Sequence, residues 1–215
     1  MARLRSLLGM GGPSAAISRD GAAGDAALCE RDRALVAAPS DQTSRRFVTA
    51  WLAWRGAGRL LPRRGEIDLD ATQGLRGGMM LFELGGSDEI RVVEAGRRIC
   101  THTGTEVVGK SFAEIDSREE WPMRRWRMLE AAARPCGNLV IVRDRQTEGD
   151  GVHFEVVTLP LDADAPGAQR LLLSHIAVLG AVYEPPAKER TAAIPPAVSF
   201  RFLDLGAGVP ERQGP

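Results

Sequence analysis

The chain has 215 residues, enough to bury the core of one domain, and its 28 Lys and Arg residues balance 28 Asp and Glu residues. A net charge of zero argues against a general attraction to nucleic acid or to an acidic membrane, so no nucleic-acid partner is expected. The cysteines, Cys29, Cys100 and Cys136, are too few for a disulfide scaffold or a Cys-rich zinc module and suit a reducing cytoplasm. No apolar run approaches the roughly 18 residues of a membrane span.

The N-terminal part of the chain predicts an arm followed by an amphipathic helix. Residues 1–39 are rich in Gly, Ala and Ser, which favours a flexible arm with at most one short helix at residues 26–37. Ser40 and Asp41 are suitable N-caps for a helix that Gly56 ends. The large apolar side chains of this helix share one face: Phe47, Ala50, Trp51 and Trp54.

The two tryptophans of this helix need a large apolar surface to cover them. Packing on the domain's own sheet is one interpretation, and a homodimer seam or a partner surface is the other. On the second interpretation the interface candidates are Phe47, Trp51 and Trp54.

Five apolar stretches predict β-strands: Met79–Leu84, Glu89–Glu94, Leu139–Asp144, Val152–Leu161 and Leu171–Val178. A hairpin turn at residues 85–88 joins the first two. The connections between the last three are shorter than the dozen or so residues that a parallel crossover needs, so these strands are expected to be antiparallel neighbours. Their nearly continuous apolar runs predict a sheet covered on both faces.

Between the two groups of strands the pattern is helical. Residues 96–116 predict short helical turns, and a capping box from Ser117 to Glu120 precedes a regular helix from Pro122 to Ala133. After Tyr183 the chain is rich in proline, with one short strand at residues 199–205. The sequence therefore divides into a flexible arm (1–39), an α+β domain (40–183) and a Pro-rich tail (184–215).

Three stretches carry motifs of glycines, prolines and apolar steps. In WLAWRGAGRLLPRRGEIDL, residues 51–69, the motif residues are Trp54, Gly58, Leu61, Pro62, Arg64, Ile67 and Asp68. In EAGRRICTHTGTEVVGKSF, residues 94–112, they are Gly96, Ile99, Gly104, Gly109 and Phe112. In FEVVTLPL, residues 154–161, a Glu precedes a Leu-Pro-Leu ending. Together these stretches resemble a bacterial family of single-domain PAS-like proteins over residues 42–180.

The order of the elements is also that of a PAS domain. The resemblance implies a five-stranded antiparallel sheet with an N-terminal capping helix and a helical middle segment. It also implies a non-enzymatic sensory or protein-interaction module in the cytoplasm. Since 215 residues leave no room beside the domain for a kinase, cyclase or DNA-binding segment, we expect output through a protein partner or a homodimer.

In PAS-like domains a small molecule, when present, lies between the inner face of the sheet and the helical middle. The resemblance implies apolar pocket walls here: Ile99, Phe112, Trp126, Leu129, Phe154 and Val156. Period-2 alternation turns either Phe154 and Val156 or His153 and Val157 inward, and we favour the first pair. The short polar groups available as anchors are Cys100, Cys136 and Ser174. A structural adaptor with a filled core is the alternative, and neither a ligand nor a cofactor is identified.

One motif predicts a different function. Gly104 to Ser111 satisfies the phosphate-loop pattern G-x-x-x-x-G-K-S, so a nucleotide-dependent enzyme is a further alternative. A phosphate loop needs a buried strand before it and a long helix after it. The polar stretch at 97–103 and the new helix start at Asp116 argue against both. We favour two turn glycines and an exposed Lys110.

The remaining polar residues predict no metal site and no catalytic group. His102, His153 and His175 are not spaced for metal coordination, and the last two are expected to be sheet histidines with satisfied hydrogen bonds. The run of arginines between Arg45 and Arg64 could meet an acidic partner. Lys110 and Lys188 are the only lysines, so the whole chain uses arginine for nearly all of its positive charges. We therefore interpret that run mainly as a consequence of composition.

Overall fold

The computed structural model describes residues 29–69, 72, 74–85, 89–103, 106–144, 152–162, 170–179, 194 and 196–211. The predicted arm up to residue 28, the hairpin turn at 86–88, Gly104 and the tail at 184–193 lie outside these residues. The described helices are α1 (Glu30–Ala37), α2 (Gln42–Arg55), α3 (Arg97–Thr103), α4 (Phe112–Ile115) and α5 (Trp121–Ala133). The described strands are β1 (Met79–Leu84), β2 (Ile90–Ala95), β3 (Cys136–Asp144), β4 (Val152–Leu161), β5 (Arg170–Leu179) and β6 (Ala197–Asp204).

The strands form one antiparallel sheet in the order β2-β1-β5-β4-β3-β6. The α+β class, the antiparallel sheet and the pairing of β3, β4 and β5 are confirmed. The sheet has six strands, whereas the sequence predicted five. The sixth is β6, which pairs with β3 from Cys136 to Val142. The short strand predicted at residues 199–205 is therefore confirmed, but its membership of the sheet was not predicted. Because the residues around β6 are rich in proline, the sequence predicted a C-terminal tail for this segment.

Helix α2 covers one face of the sheet, which we call the outer face. Asp41 Oδ1 caps the helix by accepting hydrogen bonds from the backbone N–H groups of Thr43 at 2.6 Å and Ser44 at 3.1 Å. Gly56 ends it with a φ of +66°, which favours glycine. The apolar stripe of α2 joins alternate strand residues in one buried cluster that includes Phe47, Val48, Trp51, Leu52, Leu81, Leu139, Val157, Leu159 and Leu173.

Two polar contacts hold α2 on β4. The carboxylate of Glu155, only 1% exposed, accepts hydrogen bonds from the backbone N–H groups of Ser40 at 2.7 Å and Asp41 at 3.0 Å. The Ser40 hydroxyl donates a third bond to it at 2.7 Å. The indole Nε1 of Trp51 donates to the carbonyl oxygen of Pro160 at 3.1 Å. Since a buried carboxylate needs such donors, Glu155 determines where the helix begins.

Two elements outside the predicted domain interval of 40–183 also pack on the sheet. Helix α1 adds Leu35 to the outer cluster, and Asp32 forms an ion pair with Arg55 of α2, with 2.7 Å between Oδ2 and Nη2. Strand β6 adds Leu203 to the outer cluster and Phe202 to the opposite face. The packed unit therefore extends from α1 to β6.

Helices α3, α4 and α5 cover the opposite face, which we call the inner face. Around Phe112 the packing is aromatic, with ring centroids 4.9 Å from Phe82 and 5.8 Å from Trp121. Gly96, immediately before α3, has no room for a side chain. A Cβ atom there would lie 2.0 Å from the carbonyl oxygen of Arg76, so the turn into α3 requires glycine.

We expect Trp51→Ala to lower the free energy of unfolding by about 3–5 kcal/mol, because it removes a completely buried indole and its hydrogen bond to Pro160. Trp54→Ala is the matched control and should cost less, since Trp54 is only partly buried. Urea denaturation followed by circular dichroism measures both. Equal losses in the two variants would contradict this packing.

Candidate functional site

Three polar side chains line up across the inner face, beneath α5. The strand register places Asn138 of β3 beside Thr158 of β4, and Thr158 beside Ser174 of β5. We call these three residues the polar rung. The hydroxyl oxygens of Thr158 and Ser174 are 2.6 Å apart, so one donates to the other. Asn138 Nδ2 donates to the carbonyl oxygen of Arg127 in α5 at 3.3 Å.

The amide oxygen of Asn138 takes no part in these hydrogen bonds. Asn138 is 2% exposed, and its Oδ1 has no hydrogen-bond partner among the described residues. A buried acceptor without a partner costs about 1–3 kcal/mol. Such a group in a native fold needs an explanation, and a bound molecule that satisfies it is one.

The next row of the inner face is apolar and incompletely covered. Register places its four members side by side on neighbouring strands, and we call them the apolar rung: Phe200, Val140, Val156 and Ile176. All four are partly buried, whereas the core on the outer face is closed over Val157 and Leu159. An apolar surface therefore lies directly beside the polar rung.

Arg127 of α5 reaches over this surface. Its guanidinium carbon lies 3.9 Å from the ring centroid of Phe200, a cation–π contact. Its Nε is buried and has no hydrogen-bond partner among the described residues. Burial lowers the pKa of Arg127, and the neighbouring charge of Arg124 acts in the same direction. We call Arg127, Asn138 and the apolar rung together the α5 site.

One turn before Arg127, a buried ion pair closes the start of α5. Arg124 Nε lies 3.0 Å from Asp116 Oδ2, and the Asp116 side chain has no exposed surface. Burial raises the pKa of Asp116 to about 6, although the Arg124 charge opposes this shift. Arg124 is thus occupied by Asp116, and the α5 site can offer the donor of Arg127 and the acceptor of Asn138 to a bound molecule.

The predicted pocket residues lie on the inner layer but at two ends of it. Ile99 and Phe112 are buried in the core beside β1 and β2, with Cys100 and Leu129 partly buried against it. Trp126 is near the α5 site, with its ring centroid 5.8 Å from that of Phe202. Phe154 and Val156 share a face of β4, and Val156 belongs to the apolar rung. The structure therefore does not bring the seven pocket candidates into one cluster.

The side chains of β4 alternate as we favoured, with Phe154 and Val156 on the inner face. Glu155 and Val157 face α2 on the outer side, which turns Phe154 and Val156 inward. Of the three suggested polar anchors, Ser174 belongs to the polar rung and Cys136 is buried in the inner core. Burial raises the pKa of the Cys136 thiol to about 12. Cys100 Sγ instead lies 3.5 Å from Glu106 Oε1.

Sequence reasoning missed Asn138, Thr158 and Arg127. The available signal was weak, because Asn138 immediately precedes the apolar run of β3 and the predicted strand began only at Leu139. Thr158 and Ser174 carry no such signal, because only strand register aligns them with Asn138. Arg127 is one of many arginines in the chain, and its contact with Phe200 joins distant parts of the sequence.

The interface candidates on α2 have different surroundings. Phe47 and Trp51 have 0% exposure and are covered by this chain's own sheet, so neither side chain has surface left for a second molecule. The apolar stripe of α2 is used within the chain, as the first interpretation predicted. Trp54 is partly buried at the margin of the outer cluster.

The phosphate-loop match does not have phosphate-loop geometry in its described part. It follows helix α3, not a strand, and it precedes α4, which has four residues. The backbone N–H of Gly109 donates to Val92 at 2.7 Å, and that of Ser111 donates to Glu114 Oε2 at 2.7 Å. These N–H groups are used inside the protein and are not open to a phosphate.

The histidines differ in burial. His175 is completely buried on the outer face, stacked on Phe47 with 5.5 Å between ring centroids. Neither ring nitrogen has a hydrogen-bond partner among the described residues, so the expectation of a satisfied histidine is wrong here. Burial lowers the pKa of His175 to about 4. His153 is partly buried, and the side chain of His102 lies outside the described part. The described residues contain no cluster of three potential metal ligands.

Of the six arginines between Arg45 and Arg64, at least three pair with acidic groups in the described part of the chain. Arg55 pairs with Asp32, Arg59 lies 2.7 Å from Glu66, and Arg64 pairs with Glu94. Arg45 donates from Nε to the carbonyl oxygen of Pro39 at 2.8 Å. These contacts favour the compositional interpretation of the run over an acidic partner.

We expect His175 and Asp116 to make opposite contributions to the pH dependence of stability. The lowered pKa of His175 removes stability as the pH falls from its ordinary value of 6.5 to about 4. The raised pKa of Asp116 removes stability as the pH rises from its ordinary value of 3.8 to about 6. In His175→Phe the free energy of unfolding should therefore decrease as the pH rises through this window. In Asp116→Asn it should increase as the pH rises, and each change should be on the order of 2 kcal/mol.

Urea denaturation of the wild type and both variants at pH 4, 5 and 6.5 measures these slopes. The wild type is the control and should change least, because the two effects cancel. A slope of the same sign in both variants would show that these two groups do not dominate the pH dependence.

Lys110→Ala should leave nucleotide titrations unchanged, because the loop's described N–H groups are already bonded within the chain. Isothermal titration calorimetry with ATP and GTP should detect no binding to either protein. A micromolar signal in the wild type that disappears in Lys110→Ala would restore the nucleotide-binding alternative.

Comparison with protein families agrees with this architecture. A family model described as a PAS domain matches residues 40–176, well over half of the chain and the region from the start of α2 into β5. A comparison with curated proteins finds no matching relative. In the described part of the chain, no helix has the length and apolar character needed to cross a bilayer. The chain belongs to the PAS domain family, whose members are sensory and interaction modules.

Proposed function

We propose that this PAS domain is a non-enzymatic sensor that binds a small, mainly apolar molecule at the α5 site and signals through protein contacts. The observation that carries the proposal is the buried amide oxygen of Asn138, which has no hydrogen-bond partner in the described part of the chain and lies beside an incompletely covered apolar surface. A bound molecule with an apolar body would cover the apolar rung, and one polar group on it would satisfy Asn138.

The size of the available free energy supports binding. Covering apolar surface contributes about 25 cal/mol per Å², and pairing Asn138 Oδ1 removes a desolvation cost of about 1–3 kcal/mol. The surrounding groups are already held in place. Asn138 is fixed by its bond to α5, and Arg127 is fixed by its contact with Phe200. A ligand therefore meets a preorganised surface and loses little free energy in ordering it.

Strand β4 offers a physical route from the α5 site to the outer face. Val156 contacts a ligand on the inner side, and its neighbour Glu155 holds the start of α2 on the outer side. A small shift of β4 therefore alters the hydrogen bonds of Ser40 and Asp41. The surface of α1 and α2 is the part of the chain that a protein partner or a second copy would contact in this proposal.

A structural adaptor is the second candidate. The observation that favours it is the aromatic packing of Phe112 against Phe82 and Trp121, which occupies the end of the inner layer where several predicted pocket walls lie. An adaptor needs no ligand and would present a constant surface to its partner. The two candidates differ in whether the wild-type protein binds a small molecule at all.

We expect small apolar molecules to raise the melting temperature of the wild-type protein in a thermal-shift screen. Val156→Trp should abolish these shifts by filling the apolar rung. Val198→Trp is the matched control and should retain them, because Val198 is 60% exposed on the sheet edge. Mass spectrometry of molecules released from the denatured protein identifies any ligand that copurifies.

Trp126→Ala separates the sensor from the adaptor. In an adaptor the wild type shows no shift, and Trp126→Ala loses stability and gains binding in the hole left by the indole. In a sensor the wild type already binds. Binding that is equal in the wild type and Val156→Trp would place the ligand away from the α5 site.

A further inference from the structure

We infer that the molecule bound at the α5 site is a small carboxylic acid with an apolar body and a hydrogen-bond donor, such as a hydroxyl group, next to its carboxylate. This inference rests on the proposed function and adds the chemical class of the ligand. It follows from Arg127 Nε, a charged donor, and Asn138 Oδ1, a neutral acceptor, neither of which has a hydrogen-bond partner within the described ranges.

Arg127 supplies the preference for an anion. A guanidinium group has five N–H donors and no acceptor, and its planar fork matches a carboxylate. The buried Nε of Arg127 has no acceptor among the described residues, and the ring of Phe200 supports one face of the group. A carboxylate would bind along the edge of the guanidinium and leave the contact with Phe200 intact.

Of the charged residues that act on Arg127, neither Arg124 nor Glu120 competes with it for an anion. Arg124 lies one turn earlier on α5 and is paired with the buried Asp116. The charge of Glu120 also acts on Arg127, but Glu120 is about two turns away along the helix. The strand residues of the α5 site itself, Asn138 and the apolar rung, are uncharged. An anion at Arg127 therefore meets a neutral apolar surface and a cation.

Asn138 supplies the preference for a donor beside the carboxylate. A carbonyl oxygen only accepts, so the NH₂ end of the Asn138 amide must face the carbonyl of Arg127. This contact fixes Oδ1 as the end that remains unpartnered. Because a carboxylate oxygen would repel Oδ1, the ligand needs a separate O–H or N–H for this position.

The groups that favour a carboxylate and a donor lie close together. Asn138 is bonded to the backbone of the same residue whose guanidinium extends over Phe200. The apolar rung runs beside both groups and contacts the body of the ligand. A molecule with a carboxylate and a donor at one end and an apolar body at the other matches this arrangement of Arg127, Asn138 and the apolar rung.

The test compares three series of probes by isothermal titration calorimetry on the full chain. The hydroxy acids are 2-hydroxybutanoate, 2-hydroxy-4-methylpentanoate and 3-phenyllactate. Their primary amides lack the negative charge, and the parent acids without the hydroxyl lack the donor. We expect the hydroxy acids to bind about tenfold or more tightly than the amides, because charge-assisted hydrogen bonds are the stronger class.

Matched variants assign each preference to a residue. Arg127→Met keeps a long side chain against Phe200 and should remove the preference for acid over amide. Asn138→Leu should remove the preference for hydroxy acid over parent acid. Arg134→Met is the control at the end of α5 and should change neither, since Arg134 is exposed and bonds to Val209. If Arg127→Met does not fold, Arg127→Lys serves instead and should weaken acid binding while keeping part of the preference.

The outcomes separate this inference from the proposed function. Amides that bind as tightly as acids, or a preference for acids that persists in Arg127→Met, would overturn the inference and leave the sensor in place. The same holds if no hydroxy acid binds but a neutral molecule from the thermal-shift screen does. If no small molecule of any class binds the wild type, both the sensor and the ligand class are wrong.

Discussion

The carboxylate of Glu155 is the interaction on which the two-layer arrangement depends. A buried carboxylate is stable only when donors surround it, and its donors here are Ser40 and Asp41, immediately before α2. Glu155 therefore sets the point at which the helix begins, and the apolar stripe of α2 then follows onto the sheet. Since neighbouring residues of a strand face opposite sides, the same constraint turns Val156 and Thr158 toward α5.

The two ends of the inner layer differ in chemical character. Around Phe112 the packing is aromatic and apolar, as expected of a core that only has to be stable. Beneath the middle of α5, by contrast, the buried Asn138 Oδ1 and Arg127 Nε find no hydrogen-bond partner among the residues that the structure describes. Native folds generally satisfy their buried polar groups, so each exception needs an explanation. This contrast directs attention to the α5 site.

The phosphate-loop match shows why a motif needs its structural context. The same eight residue types hold phosphate only when their backbone N–H groups point into open space at the start of a helix. In this fold, Gly109 donates to the edge of β2 and Ser111 begins a single helical turn. Gly109 makes the turn into this segment possible, as its positive φ indicates.

The sequence by itself determined the order and type of the main elements. The spacing of Phe47, Trp51 and Trp54 defined α2, short connections made β3, β4 and β5 antiparallel, and the motifs between residues 51 and 161 indicated the PAS family. These features depend on residues close together in the chain. Period-2 alternation also narrowed the inward side of β4 to two choices, of which the favoured one, Phe154 and Val156, agrees with the structure.

Only the tertiary structure decided which distant residues meet. Strand β6 joins the sheet through a partner about sixty residues earlier in the chain, so no local pattern reveals its place. The alignment of Asn138 with Thr158 and Ser174 depends on the register of three strands, and a shift of one residue would turn each side chain to the other face. The burial of Phe47 and Trp51 within one chain, and the position of Arg127 over Phe200, likewise follow from packing between elements that the sequence separates.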